Sequence, residues 1–254
     1  MAQPTHGIQL YVFKPKERTP NGSPFCQKME TFLRVTKTPY EVKYTINSSA
    51  PKKKLPYITI DNDTTNPLPD THFIINHLVE SRIAPDLDTP LSPAERAESR
   101  AWQAWTEELI APALAYTRWI VDENYTIFRE EALGEIPWPI RYLLGAYLRW
   151  GVGRNLWGHG MGRHSEKEVR SLMQEWVDGV DAKLEDGREW FFGLGQPTAI
   201  DVTLYAFLSN SLATKANPLF AHSICQKASL RAYIRRCTEV WFPEYQELLD
   251  IVKE

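Results

Sequence analysis

Asn21-Gly-Ser-Pro-Phe-Cys-Gln-Lys-Met-Glu-Thr-Phe-Leu-Arg-Val35 is where the chain changes its period. Asn21-Gly22 is a turn pair. Ser23 is a good helix N-cap, and Pro24 is well suited to the first helical position, where its missing N–H has no intrahelical partner to lose. From there Phe25, Met29, Phe32, Leu33 and Thr36 fall on one helical stripe, with Gln27, Lys28, Glu30 and Arg34 off it. Ser23 and Cys26 stand three positions apart at the mouth of this helix. Either side chain could carry chemistry, or the stretch is only a well-capped helix.

Working outward, Ile8 to Phe13 (IQLYVF) is β-favouring and apolar on both faces, as an interior strand requires. Lys14 to Gly22 holds Pro15, Pro20 and Gly22 and reads as a loop. Thr38-Pro39 ends the helix. Tyr40 to Ile46 alternates strictly, with Tyr40, Val42, Tyr44 and Ile46 on one face. Pro56 to Ile60 reads as another strand, Asp61 to Asp63 as a turn, and Thr65 to Leu68 as a short strand. Asp70-Thr71 then opens a helix. The order is β-α-β followed by β-β-α. A crossover helix joins the first two strands, so they should run parallel.

Ala84 to Pro93 is rich in Pro and Asp and reads as a linker, after which strand signals nearly vanish. Ala94 to Val121 is a long helical pattern that Pro112 should kink or divide. Glu166 to Leu184 is amphipathic, Ala199 to Leu212 is strongly apolar and central, and Leu230 to Cys237 and Glu244 to Val252 supply the last helices. The expected organisation is an α/β domain over 1–84, a linker over 85–93 and an all-α domain over 94–254.

Composition bounds the function. With 43% apolar and 24% charged residues, the chain fits a globular protein. A net charge of −3, with Lys and Arg spread along the chain, gives no footprint for nucleic acid. Nine Trp and eleven Tyr suit helix packing and pockets for flat apolar ligands equally. Cys26, Cys225 and Cys237 are odd in number and lack metal-ligand spacing. A reducing compartment, the cytoplasm, is the expectation, with no metal. MAQPTHGIQL has no signal-peptide pattern, and the C-terminal EYQELLDIVKE is an amphipathic helix end. Ile136 to Val152 is the most apolar long stretch, but Pro137, Pro139, Arg141 and Arg149 argue against a membrane span.

SPFCQKMETFLRV (23–35), KKKLPYI (52–58), PDTHFIINHL (69–78), GHGMGRHS (158–165) and FFGLGQPTAIDVTLYAFL (191–208) together resemble the glutathione transferase superfamily. Within it they look most like the failed axon connections group, which is related to the metaxins. GHGMGRHS points most narrowly to that group. The resemblance implies a thioredoxin-like α/β domain joined to an all-α domain, with glutathione as co-substrate and an electrophilic hydrophobic small molecule as the acceptor, a detoxification chemistry. It implies that Ser23 is the catalytic residue, donating a hydrogen bond to the glutathione sulfur. Free thiols near pKa ~8.5 are mostly protonated at neutral pH, so a donor at a helix N-terminus favours the nucleophilic thiolate. The bland reading of Ser23 is a cap alone, and the two roles draw on one side chain.

By the same resemblance, Phe25, Lys54, Leu55, Pro56, Asp70 and Thr71 bind glutathione, with Pro56 cis and the Leu55 backbone pairing the tripeptide as an added strand would. Lys54 would meet the glycyl carboxylate, although Lys52 to Lys54 also read as a solvated loop. Thr71 would meet the γ-glutamyl carboxylate and Asp70 the ammonium, although both are good helix starters. Cys26 has no partner cysteine at position 23, so a Cys-x-x-Cys disulfide is ruled out and the residue reads as helix packing. Thr198 and Asp201 form a structural capping box, expected to matter for folding. His159, Arg163 and His164 read as loop-supporting polar groups. A second-substrate site is expected between the domains, lined by residues such as Tyr11 to Lys14, Trp102, Trp105, Tyr116 and Trp119. The alternative function is a non-catalytic adaptor or hydrophobic ligand carrier on the same fold. Homodimers are common in the superfamily.

Overall fold

The computed structural model describes residues 7–253, so the first six residues of the N-terminal stretch and of the expected first domain lie outside it. Four strands form one sheet: β1 (Ile8–Val12), β2 (Tyr40–Tyr44), β3 (Tyr57–Ile60) and β4 (Leu68–Pro69), in the order β2-β1-β3-β4. β1 runs parallel to β2 and antiparallel to β3, and β4 is antiparallel to β3. The parallel pair is joined through helix α1 (Pro24–Val35), the expected crossover. Ile8, Leu10 and Val12 bury one face of β1 against α1 and α2 (Thr71–Glu80) through Met29, Phe32, Leu33, Ile74 and Leu78.

Two strand readings change. β2 stops at Tyr44, and Tyr44 and Ile46 are exposed, because β2 is an edge strand whose end has nothing packed over it. The short fourth strand is Leu68–Pro69 rather than Thr65 to Leu68, since Asp63 holds Thr65 and Asn66 in a side-chain-bonded turn.

Beyond the linker the chain is helical. It runs through α3 (Pro93–Ala104), a π-helical segment (Trp105–Ile110), α4 (Ala111–Trp119), α5 (Asp122–Leu133), α6 (Ile140–His159), α7 (Glu166–Leu184), α8 (Ala199–Leu212), α9 (Pro218–Cys225), α10 (Ala228–Trp241) and α11 (Gln246–Ile251). Ser92 and Ser165 open α3 and α7 with reciprocal capping boxes to Glu95 and Glu168. The long helical pattern is interrupted at Pro112, as expected: it divides into α3, the π-helical turn and α4, with Pro112 in the first turn of α4, where its missing N–H follows the wider coil.

α8 is buried along its whole length and is the axis of the helical core. At its start Asp201, itself fully buried, accepts from the Thr198 N–H (2.8 Å), the Thr198 hydroxyl (2.8 Å), the Phe191 N–H (2.9 Å) and the Tyr233 hydroxyl (3.0 Å). Burial raises its pKa, while the Thr198 and Phe191 N–H groups and the two hydroxyls pull it back down. From the linker, Asp88 accepts from the Ala199 N–H at 2.8 Å, so α8 is capped by two carboxylates.

α1 departs most from its sequence reading. Gln27 and Lys28, expected off the buried stripe, are 0% and 1% exposed. The helix lies between the sheet and α8, so it has two buried faces. Phe25 meets Phe207 of α8 edge-on at 5.6 Å. Gln27 accepts from the Tyr245 hydroxyl at 3.3 Å. Lys28 donates to Glu107 of the π-helical segment in a pair shielded from water, with Arg100 3.6 Å from the other carboxylate oxygen. Further along, Arg34 donates to the Trp241 carbonyl (2.9 Å) and pairs with Glu244.

Two expectations follow. Lys28→Ala leaves the buried Glu107 with only the longer 3.6 Å contact to the half-exposed Arg100, and chemical denaturation should show a loss of about 3 kcal/mol. Joint replacement by Lys28→Met and Glu107→Met should recover most of it, and equal losses in the single and double variants would contradict this account of the pair. Asp201→Ala strands several buried donors at once, so it should destabilise by about 3 kcal/mol or more in the same assay, whereas the exposed Lys54→Ala should change stability little.

Candidate functional site

The strand register brings the separated segments together. Tyr11 lies opposite Tyr57, and Tyr57 lies opposite Pro69. The chain leaving β1 toward Ser23, the Leu55–Pro56 step before β3 and Asp70-Thr71 after β4 therefore share one end of the sheet. The N-termini of α1 and α2 are both at that end, each with unpaired N–H groups and positive dipole character.

Asn21 positions Ser23. Its side-chain N–H donates to the Phe13 carbonyl (2.7 Å), and its Oδ1 accepts from the Ser23 N–H (3.0 Å). Its own N–H donates to Gln27 Oε1 (2.8 Å), and its carbonyl accepts from Asn210 Nδ2 (2.6 Å). Asn210 Oδ1 in turn accepts from Arg118 at 2.8 Å. Arg118 is buried, which lowers its pKa to about 10 against the opposing pull of Glu131. Sequence reading took Asn21 only as a turn residue. Its partner is 189 positions away, and no local pattern signals it.

Ser23 is the N-cap of α1, with its oxygen accepting the Cys26 N–H at a long 3.4 Å. Capping uses a lone pair, and a hydroxyl also has one O–H to donate, so cap and donor are not exclusive. The Cys26 thiol is buried beside Ser23 and the Phe13 backbone. Burial pushes that thiol up to about 12, outweighing the pull of the Phe13 backbone and of Ser23. Cys26 is buried and protonated at neutral pH, a packing residue without thiolate character.

The Leu55–Pro56 peptide is cis, and both residues are buried. The lysines before it separate. Lys52 lies 5.4 Å above the Phe73 ring, and Lys53 donates to the Ser48 carbonyl at 2.7 Å. Lys54 is exposed and has no side-chain partner among the described residues. Asp70, in the left-handed region at φ 78°, caps α2 by accepting from the His72 N–H at 3.1 Å, and Thr71 is buried in the first turn. His72 has its pKa lowered by burial and by Arg100 and Lys28, against Glu107 and Asp70. That field extends the buried ion pair toward this end of the sheet, and sequence reading missed it.

Other expected residues go elsewhere. Phe25 packs on Phe207. Tyr11 stacks on Tyr57 at 4.3 Å. Trp102 and Trp105 lie against each other, and a side chain at Gly179 would meet both rings within 3.3 Å, so they belong to packing on α7. Trp119 packs on Phe128, and Tyr116 lies at the edge of the helical core. After α6, Arg163 stacks over Trp157 and His164 is 4.0 Å from Glu168, a loop-supporting arrangement. Among the described residues no group of His, Cys, Asp and Glu could hold a metal.

A family model for the glutathione S-transferase N-terminal domain matches residues 24–124. Failed axon connections of Drosophila melanogaster is 28% identical over 95% of this chain, and the chain spans 59% of that protein. Human metaxin-2 is 22% identical over 85% of this chain and 81% of its own length. A solved glutathione transferase family member from Pseudomonas fluorescens, with two glutathione bound, shares the fold at a TM-score of 0.60 and 17% identity, over 98% of this chain and 94% of that one. Residues 24–124 thus match a glutathione S-transferase N-terminal domain, and the chain as a whole has the glutathione transferase fold and is similar over most of its length to failed axon connections and the metaxins.

Proposed function

We propose that the chain binds glutathione across the end of the sheet where Ser23, Leu55 and Asp70-Thr71 meet, and joins it through its sulfur to an electrophilic apolar small molecule. The observation that carries this is the register, which sets a hydroxyl, a buried X-Pro backbone and a helix N-terminus along one edge. Thr71 and the first N–H groups of α2 suit the γ-glutamyl carboxylate, Asp70 the ammonium, the Leu55 backbone the cysteinyl unit, and exposed Lys54 the glycyl carboxylate. Ser23 would donate its O–H to the sulfur while the N-terminus of α1 adds favourable potential. The thiol proton leaves to solvent, a sulfur–carbon bond forms, and the electrophile's leaving group departs with its electron pair. The nucleophile belongs to glutathione. Three free cysteines suit a reducing compartment, and we place the protein in the cytoplasm.

One observation favours a second reading, a non-catalytic adaptor or hydrophobic ligand carrier. Phe25, Trp102 and Trp105 pack against the helical core and are only partly exposed, which reduces the aromatic surface open to an electrophile.

Calorimetry with glutathione, followed by conjugation of 1-chloro-2,4-dinitrobenzene, separates the readings. Ser23→Ala should keep glutathione affinity within a few-fold and lower kcat by about tenfold to a hundredfold, the loss of one donor to a developing anion. The donor lowers the thiol pKa, so activity should rise with pH through a midpoint below ~8.5 and move up by about one unit in Ser23→Ala. Binding without conjugation would favour the adaptor, and no binding would reject both the site and the mechanism. Alkylation at pH 8 should leave Cys26 unmodified in the folded protein and label it only after denaturation, with glutathione binding unaffected. Labelling of native Cys26 that abolishes binding would make it a participant.

A further inference from the structure

α6 presents an exposed stripe that the rest of the fold does not use. Ile140, Leu143, Tyr147, Trp150, Arg154 and Trp157 recur at three- and four-residue spacing and so lie on one side of the helix. The five apolar members are 58%, 73%, 68%, 58% and 59% exposed, and Trp138 just before the helix is 70% exposed. Half of the exposed large apolar side chains among the described residues fall between 138 and 157, and a contiguous apolar surface of this kind marks an interaction face. The inner face of α6 is fixed in place. A Cβ on Gly145 would come within 2.8 Å of the Tyr125 hydroxyl and 3.0 Å of Arg129, so α6 sits too closely on α5 to turn its stripe inward.

The chemistry of the stripe identifies what covers it. From 136 to 165 the chain has Arg141, Arg149, Arg154 and Arg163 and no Asp or Glu, in a protein of net charge −3. Two acids of α5 are already engaged: Glu130 pairs with Arg141 (2.9 Å) and Asp122 with Arg149 (2.6 Å). Arg154 and Arg163 have no carboxylate partner among the described residues and lie over the Trp150 and Trp157 rings at 4.8 and 5.6 Å. Beside the stripe is an open groove of about 660 Å³ that Arg129 and Tyr142 also line. Trp and Tyr rings with interspersed guanidinium groups are what a membrane–water interface accepts, the rings among the headgroups and the cations on phosphates. A second copy fits less well, because a two-fold pairing of this helix brings cationic faces together with no acid of its own to meet them. No helix among the described residues is long and apolar enough to cross a membrane, so the contact is in plane.

We propose that the outer face of α6 docks on an anionic lipid bilayer surface, with Leu143, Tyr147, Trp150 and Trp157 inserted at headgroup depth and Arg154 and Arg163 on lipid phosphates. The test uses the full chain with vesicles of phosphatidylcholine alone or mixed with phosphatidylserine, read by flotation and by tryptophan emission. The protein should float with the mixed vesicles, with a blue shift in emission. Trp150→Ser should weaken partitioning by about tenfold. Arg154→Glu should remove the preference for phosphatidylserine, and Leu219→Ser, an exposed leucine on α9, should leave binding unchanged. Circular dichroism checks that each variant folds. Failure to float with either vesicle, or undiminished binding by folded Trp150→Ser, would overturn the proposal. A dimer in light scattering that Leu143→Glu dissociates would overturn it too, assigning the face to a second copy.

Discussion

Helix α1 is a helix with two insides, and the rest of the molecule is arranged around it. No residue from 23 to 36 is fully exposed. Cys26, Met29, Phe32 and Leu33 serve the core beneath the sheet, while Phe25, Gln27 and Lys28 face the helical domain. Burying an ammonium is expensive, and it is tolerated because Glu107 meets it where the π-helical turn brings a carboxylate to the seam. The same helix begins at Ser23, so what fixes the docking of the two halves also fixes the position of the hydroxyl at the end of the sheet. Asn21 joins the two, since its four hydrogen bonds reach the strand exit, the Ser23 N–H, the body of α1 and α8.

Much of this was legible where local chemistry decides the structure. Ser23-Pro24 announced the start of α1, Glu166 and Leu184 bounded α7, and Thr198 with Asp201 announced α8, because caps and helical periods are written within a few residues. The parallel β1–β2 pair followed from the crossover. What stayed hidden depends on distant partners. A helical stripe presumes one buried face, so Gln27 and Lys28 fall off it in the sequence. Alternation in β2 could not say that Tyr44 and Ile46 would reach past the edge of the packing. α5 and α9 passed unread, since Asp122–Leu133 is mostly polar and Pro218–Cys225 is only eight residues long. The aromatics Trp102 and Trp105 suited a pocket and a core equally by composition, and only their packing on Gly179 distinguishes the two.

At the proposed site the helix-capping groups are also those that would serve a ligand. Ser23, Asp70 and Thr71 are all at helix starts, where the side chains that satisfy loose N–H groups are also those that suit an anion or a thiolate. Ser23 caps through a lone pair and so keeps a donor. Asp70 caps α2 while standing at the surface. The buried cap of α8 is different, with every bond of Asp201 closed inside the protein. Accessibility therefore separates the caps that can meet a ligand from the one that only holds the fold.

Three segments distant in sequence meet at the end of the sheet, and we propose that they form one glutathione cradle. Backbone amide resonances of the isotopically labelled protein, followed through a titration with glutathione, test it most directly. The account predicts that the largest shifts fall together on the amides of Ser23, Leu55 and Thr71 and saturate with a single dissociation constant. Unchanged spectra at high glutathione, or shifts confined to the helical domain, would contradict it.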